Sequence, residues 1–169
     1  MAAIARQHGV PPQILEAVDE VNQRQKRVLV EKIEAHFQGD LADKRIAVWG
    51  LAFKPGTDDI REAPSLVLLD RLLAHRAIPQ VYDPEALENV RRRYGPRLTY
   101  AASRDEALDG ADALAILTEW KQFLHPDFER MKSRMRSPVI FDGRNLYSPF
   151  RMRDTGFTYY SIGRPEIVP

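Results

Sequence analysis

After Gly39 the sequence alternates short apolar runs with amphipathic stretches, and this rhythm limits the possible fold more than any other feature. Runs of this kind, bounded by turn residues, are typical of buried strands. We predict strands over residues 45–49, 80–82, 98–100, 113–117, 139–141 and 158–162. The intervening segments, residues 64–76, 84–94, 104–108, 126–134 and 149–155, are predicted to be helical. Apolar strands that alternate with helices favour a Rossmann-like, doubly wound α/β fold with a mostly parallel sheet.

A long helix precedes this sheet in the prediction. Apolar residues recur near helical spacing from Pro12 to about Phe37, with no Pro or Gly between them. The middle of the helix, residues 22–27, is polar for nearly two turns. We interpret residues 1–38 as a connector and subunit interface and residues 39–169 as one α/β domain. The alternative is a helix that folds back on its own domain.

Composition excludes several classes of function. Lys and Arg number 25 against 24 Asp and Glu, so a net charge of +1 gives no large field that would attract nucleic acid or an anionic membrane. No stretch approaches the roughly 20 apolar residues of a membrane span, and the first ten residues lack an apolar signal core. We therefore expect a cytoplasmic protein with neither a nucleic-acid nor a membrane partner.

Cysteine and histidine content narrows the chemistry further. The chain has no cysteine, which excludes disulfides, thiolate metal sites and a cysteine nucleophile within it. Its histidines, His8, His36, His75 and His125, show no spacing typical of metal ligands. We predict no metal site and no catalytic residue in this chain.

The segment over residues 50–65 follows the first predicted strand, where ligands bind in open α/β sheets. It departs from the dinucleotide fingerprint, because Ala52 stands at the second glycine and Pro55 interrupts the turn. The acidic residue about 20 positions further on is also missing, since Asp83 comes later than that. These departures disfavour ordinary NAD binding in this loop.

The same loop offers groups suited to an anionic ligand. Lys54 supplies a point charge and Arg61 a planar donor fork, both of which bind phosphate or carboxylate groups, and Phe53 adds a flat apolar face. The alternative is a surface loop in which acidic neighbours pair with these two cations. Those neighbours are Asp58, Asp59 and Glu62.

Four motifs carry a resemblance to a known family: GLAFKPGTDDIREAPS, YDPEA, LTEWKQF and FDGRN, in this order. They resemble the C-terminal UDP-binding domain of the UDP-glucose and GDP-mannose dehydrogenases, over residues 39–163. The string EAVDEVNQRQKR is similar to the end of the long helix that joins this domain to the catalytic half. The resemblance implies that residues 39–169 form a UDP-sugar-binding domain and that the preceding helix mediates a homodimer.

The resemblance also implies roles for particular residues. Phe53 and Lys54 would line the UDP-sugar site, with Lys54 at the diphosphate, and Arg144 would supply a second charge to the substrate. Arg61 would contact NAD, which the family holds mainly in an N-terminal domain absent from this sequence. Without the resemblance, the sequence favours a solvated Arg144 that merely follows a common Asp-Gly turn.

Other motif residues are interpreted as structural. The Tyr82-Asp83-Pro84 segment is predicted to close a strand and begin a helix. Thr118 is predicted to cap a short helix, and Trp120 to pack rather than to stack on a ligand.

By resemblance, the complete enzyme would oxidise UDP-glucose to UDP-glucuronate in two hydride transfers to NAD, through a covalent cysteine adduct. Because the chain has no cysteine, we expect a fragment that begins inside the connector and is inactive by itself. Related UDP-N-acetyl-sugar and GDP-mannose enzymes remain alternatives, although the strings FKPGTDD and TEW favour UDP-glucose. Two rival functions are a non-catalytic module that dimerises through its helix and a free-standing dinucleotide-binding regulatory domain, against which Ala52 and Pro55 argue.

Overall fold

A computed structural model describes residues 12–168, in which six strands alternate with helices. The helices are α1 (Gln13–His36), α2 (Pro64–Ala74), α3 (Leu87–Tyr94), α4 (Phe128–Arg134) and α5 (Pro149–Asp154). The strands are β1 (Arg45–Trp49), β2 (Ile78–Tyr82), β3 (Thr99–Tyr100), β4 (Ala113–Ile116), β5 (Val139–Asp142) and β6 (Thr158–Ser161). Short 3₁₀ helices lie at Gly95–Arg97, Glu106–Leu108 and Lys121–Phe123. All six predicted strands are confirmed.

The six strands form one sheet in the order β3-β2-β1-β4-β5-β6, and every pair of neighbours is parallel. The chain moves outward from β1 in one direction and then returns to pair β4 with the other side of β1. At this switch point, Trp49 is in register with both Tyr82 and Ile116, so β1, β2 and β4 end at one edge. This topology confirms the Rossmann-like doubly wound fold and opens a crevice beyond the carboxyl ends of the strands.

Apolar side chains cover both faces of the sheet, as the alternation of side chains along a strand requires. In β1, Ile46 and Val48 face the core shared with α1 and α2, whereas Ala47 and Trp49 face the second core. That second core contains Phe123, which stacks on Trp49 with ring centroids 4.9 Å apart. Both faces are therefore buried, which explains why β1 reads as an unbroken apolar run.

Helix α1 has two unlike halves. Its C-terminal half packs on α2 and β5 and buries Leu29, Val30 and Ile33 in the core. Its N-terminal half leaves apolar side chains exposed, at Ile14, Leu15, Val18 and Val21. The division at residue 38 stays a prediction, although the end of α1 shares its core with the sheet. Residues 1–11 of the predicted connector and residue 169 lie outside the described residues. His8 and the first ten residues, in which we found no apolar signal core, belong to this part.

Helices α2, α4 and α5 match their predicted extent within two residues, and two other predicted helices differ more. The segment predicted to be helical from residue 84 begins its helix only at Leu87, because Asp83 Oδ1 accepts hydrogen bonds from the backbone N–H groups of Glu85 and Ala86 and forms a turn first. The helix predicted over residues 104–108 is a single 3₁₀ turn, Glu106–Leu108. Within residues 12–168, none of the helices combines the length and apolar character that a membrane crossing requires.

Candidate functional site

A cleft of about 640 Å³ lies beyond the carboxyl ends of β1, β4 and β5, where the topology places ligand sites. The polar middle of α1 forms its opposite wall. The lining residues are Asp19, Asn22, Gln23, Gln25, Lys26, Leu29, Phe53, Lys54, Glu62, Pro64, Leu117, Glu119, Gly143, Arg144 and Ile162. Three of the four residues predicted for ligand binding, Phe53, Lys54 and Arg144, therefore meet in one cleft.

The loop that carries Phe53 and Lys54 requires a glycine at its start, where β1 ends. Gly50 has φ +86°, and a Cβ at this position would lie 2.6 Å from both Cβ and the backbone nitrogen of Thr118. Thr118 also donates a hydrogen bond from Oγ1 to the carbonyl of Ala52, at 2.6 Å. The prediction that Thr118 caps a helix is wrong, because its hydroxyl ties the loop after β1 to the loop after β4.

Asp83 anchors the start of the loop that carries Phe53 and Lys54. Its Oδ2 accepts hydrogen bonds from the backbone N–H groups of Leu51 and Ala52, at 2.6 and 3.1 Å. The same oxygen accepts a hydrogen bond from Trp120 Nε1, at 3.1 Å. Asp83 follows the end of β2 as predicted, although no helix begins there, and Trp120 packs against the core as predicted. Both residues hold the loop in place.

Beyond this anchor, Phe53 and Lys54 extend into solvent. The backbone N–H of Phe53 donates to the carbonyl of Asp59, at 2.8 Å, while its ring is 48% exposed. Lys54 is exposed, and within residues 12–168 its ammonium group makes no hydrogen bond or ion pair. An exposed ring beside an uncommitted cation leaves both groups available to a ligand.

Arg144 is held far more firmly. Its backbone N–H donates to Asp142 Oδ1 at 2.9 Å, and its Nε donates to the carbonyl of Leu117 at 2.7 Å. Glu119 Oε2 lies 3.2 Å from the same Nε. Neither terminal guanidinium nitrogen bonds to another residue in the described part of the chain. The guanidinium is thus oriented by its Nε while its outer N–H groups stay free to donate.

Asp142 organises the loop that holds Arg144. It is fully buried, and its Oδ2 accepts hydrogen bonds from the backbone N–H groups of Leu146 and Tyr147 and from the hydroxyl of Tyr159. Burial raises the pKa of the Asp142 carboxyl, and these hydrogen bonds oppose the rise because they favour the ionised form. The Asp-Gly turn is therefore fixed by buried hydrogen bonds and holds Arg144 in place.

Arg61 lies outside this cleft. Its guanidinium pairs with Asp59, with Nη2 2.8 Å from Oδ2, and its side chain is 88% exposed. The hydrogen bonds from Arg61 lower the pKa of Asp59 to about 2. The alternative of a loop with internal ion pairs thus holds for Arg61. It does not hold for Lys54, and Glu62 pairs with Lys26 of α1, not with a cation of its own loop.

Charge in the cleft is balanced. Three basic side chains, Lys26, Lys54 and Arg144, face three acidic ones, which are Asp19, Glu62 and Glu119. The sequence interpretation missed every contribution from α1, including Lys26. The sequence contains a sign of this contribution. On the helical face that carries the apolar Leu29 and Ile33, the earlier positions Asn22 and Lys26 are polar, which indicates that this part of the face does not pack on the core. Within the described residues no group of three or more His, Asp or Glu side chains is placed to hold a metal ion.

The loop after β1 does not fit the pyrophosphate of a dinucleotide. Such a site needs a tight glycine turn and the free N–H groups of a helix that follows at once. Here α2 begins at Pro64, which has no N–H, after a loop that starts at Gly50, and Ala63 at the N-cap is buried. Arg61 lies on the outer side of this loop, so its predicted contact with NAD stays a prediction.

Comparison with known proteins agrees with this geometry. Residues 47–149 match the model of the UDP-glucose/GDP-mannose dehydrogenase family, UDP binding domain. A UDP-glucose 6-dehydrogenase of Pseudomonas aeruginosa is 51% identical over 167 residues, which cover 96% of this chain and 37% of the relative. A UDP-glucose 6-dehydrogenase of Rhizobium meliloti is 41% identical, with the same coverage of both chains. The chain thus spans little more than a third of these curated relatives.

Solved structures extend the likeness to the fold. A UDP-glucose dehydrogenase from the hyperthermophilic archaeon Pyrobaculum islandicum superposes with a TM-score of 0.74 at 32% identity, covering 86% of this chain and 32% of that one. A UDP-D-ManNAc dehydrogenase from Pyrococcus horikoshii superposes with a TM-score of 0.60 at 26% identity, covering 82% and 30%. With motifs, topology and cleft in agreement, this chain belongs to the UDP-glucose/GDP-mannose dehydrogenase family and contains its UDP binding domain.

Proposed function

We propose that this chain is the nucleotide-sugar-binding part of an NAD-dependent UDP-glucose 6-dehydrogenase. One observation carries the proposal: Lys54 and Arg144, each with uncommitted donors, line one cleft together with the exposed ring of Phe53. Cations with free N–H groups suit a diphosphate, and an aromatic face suits a base or a sugar ring. The names of the two curated relatives support UDP-glucose as the nucleotide sugar.

In this proposal the residues act by binding and orienting the substrate. Lys54 meets the diphosphate as a flexible point charge, and Arg144 presents an oriented donor fork to a second anionic oxygen. NAD, bound mainly by another part of the longer protein, would accept the two hydrides, and Arg61 would contact it from across a cleft. Because the chain has no cysteine to form a covalent adduct, we expect no NADH production from UDP-glucose by this chain alone.

We further propose a cytoplasmic homodimer in which α1 forms the subunit contact. The support is the row of exposed apolar side chains on the N-terminal half of α1, Ile14, Val18 and Val21. This row also favours the rival function, a non-catalytic dimerisation module. Sedimentation analysis of the chain and of Val18→Asp tests the contact, because a charge in the row should shift a dimer toward monomer.

Calorimetric titration with UDP, UDP-glucose, GDP and NAD tests the binding function. We expect UDP ligands to bind, and Lys54→Ala and Arg144→Ala to weaken them by about 1–3 kcal/mol, the usual loss for a charged hydrogen bond. Matched controls are Lys132→Ala on α4 and Arg92→Ala on α3, whose side chains pair with acidic residues outside the cleft.

The pattern of ligands separates the alternatives. Preference for GDP over UDP would favour a GDP-mannose enzyme, and preference for NAD over UDP would favour a dinucleotide-binding regulatory domain. A dimer with no affinity for any nucleotide would leave only the interaction module. Tighter binding of a UDP-N-acetyl sugar than of UDP-glucose, in a parallel titration, would favour a UDP-N-acetyl-sugar enzyme.

A further inference from the structure

One face of α1 changes character along its length. Asp19, Asn22, Lys26, Leu29 and Ile33 follow each other at intervals of three or four residues and therefore share that face. Leu29 and Ile33 are buried in the core at the C-terminal end of the face. The three polar members line the cleft instead, where the helix passes over the ends of the strands. The face thus turns polar where its partner changes from the sheet to the cleft.

Lys26 is the most unusual member of this face. Its side chain is only 13% exposed, although Gln25 and Arg27, which flank it in the sequence, are exposed. Its Nζ donates a hydrogen bond of 2.6 Å to Glu62 Oε2, a carboxylate on the rim that is 76% exposed. An ammonium has three donors, and within the part of the chain that the structure describes Glu62 is the partner of one. The stem of Lys26 is largely covered while its ammonium, with spare donors, lies at the wall of the cleft, so it is placed to donate to a ligand.

We propose that Lys26 is a third binding cation for the diphosphate of the nucleotide, supplied by α1 and not by the strand-end loops. This inference rests on the proposed function of the cleft. Without Lys26, two cations, Lys54 and Arg144, would face the three acidic side chains of the lining, a net charge of −1 that opposes a diphosphate. Lys26 removes this deficit and presents its remaining N–H groups to the ligand from the side of α1.

A purely local role for Lys26 makes a different prediction. If Lys26 only neutralises Glu62, removing both charges together should restore the affinity of the unaltered chain. If Lys26 contacts the ligand, Glu62→Gln alone should bind UDP at least as tightly as the unaltered chain, because it releases Lys26. The double variant Lys26→Met/Glu62→Gln should then stay weak. Methionine retains most of the apolar stem of the lysine, so the variant removes the charge and keeps most of the side-chain packing.

The test is titration of the unaltered chain and these variants with UDP, with thermal melting to verify folding. We expect Lys26→Met to weaken UDP about fivefold to 50-fold, the double variant to remain at least about threefold weaker than Glu62→Gln, and Lys132→Met on α4 to change nothing. Repeating the titration at two salt concentrations should show a shallower salt dependence for Lys26→Met, because one cation fewer meets the ligand.

The outcomes separate this inference from the proposed function. If UDP binds, Lys54→Ala weakens it and Lys26→Met does not, the role of Lys26 is overturned and the function of the cleft stands. Full recovery in the double variant also overturns the role of Lys26. If the unaltered chain binds no UDP at millimolar concentration, both proposals fall together.

Discussion

Two loops supply two of the three cations of the cleft, Lys54 and Arg144, and both loops are anchored by a buried aspartate at a strand end. Asp142, at the end of β5, bonds the backbone of Arg144 itself. Asp83, just after β2, bonds Leu51 and Ala52 and leaves Lys54 beyond its reach. The difference teaches that a cation is preorganised where its own backbone and side chain are both bonded, as in Arg144, and stays adaptable where the hydrogen bonds of the anchor end two residues before it, as in Lys54.

This contrast suits the two side chains. A guanidinium gains most from being held, because its donor fork must match the geometry of its acceptor. A lysine ammonium is a point charge that can follow a ligand, at some cost in side-chain entropy. The cleft thus combines one rigid contact with one adaptable contact, and each can be altered separately.

The largest expected effect is on stability, from removing the anchor of the rigid loop. Asp142→Ala leaves the N–H groups of Leu146 and Tyr147 without their acceptor and removes the shorter of the two hydrogen bonds of the buried Tyr159 hydroxyl. We expect a loss of about 3 kcal/mol in the free energy of unfolding, measured by urea denaturation. Asp154→Ala, at the exposed end of α5, is the control and should change this quantity by less than about 0.5 kcal/mol. An equal loss in both variants would contradict the role of Asp142 as an anchor.

The next effect sharpens the contrast between the two cations. Arg144→Lys keeps the charge but loses the oriented fork and the Nε contact with Leu117, so we expect it to weaken UDP by about 2 kcal/mol. Lys54→Arg keeps a charge on an exposed, unconstrained stem and should stay within about 0.5 kcal/mol of the unaltered chain. Calorimetry on both exchanges measures the difference. Equal losses would show that preorganisation does not distinguish the two sites.

The smallest effect concerns the outer side of the adaptable loop. Because Arg61 lowers the pKa of Asp59 to about 2 from its ordinary 3.8, the ionised pair stabilises the fold above about pH 4, and this contribution is lost as pH falls toward 2. Asp59→Asn should therefore melt slightly below the unaltered chain at pH 6 and together with it near pH 2. The difference should be small, because the pair is exposed and screened by salt. A larger difference at pH 2 than at pH 6 would contradict this assignment.

Local pattern carried much of the fold prediction. The apolar runs located all six strands, and β1 matched residue for residue, because buried parallel strands are apolar on both faces. Helix α1 ended within one residue of its predicted limits for a similar reason, since no Pro or Gly interrupts it. The largest errors fell on Glu106–Leu108 and on the start of α3, where Ser103 Oγ and Asp83 Oδ1 accept hydrogen bonds from backbone N–H groups and form turns.

The sequence by itself determined the Rossmann-like order of elements, the family and the loops in which Phe53, Lys54, Arg61 and Arg144 lie, because each depends on residues close together in the chain. Only the tertiary structure decided which of these side chains share a cleft and that Arg61 does not. It also placed Lys26 in the wall of the cleft that α1 forms, although Lys26 precedes Lys54 by 28 positions in the sequence. The physical reason is that a cleft is built from segments distant in sequence, whose approach is set by the packing of α1 on the sheet and by the anchors Asp83 and Asp142.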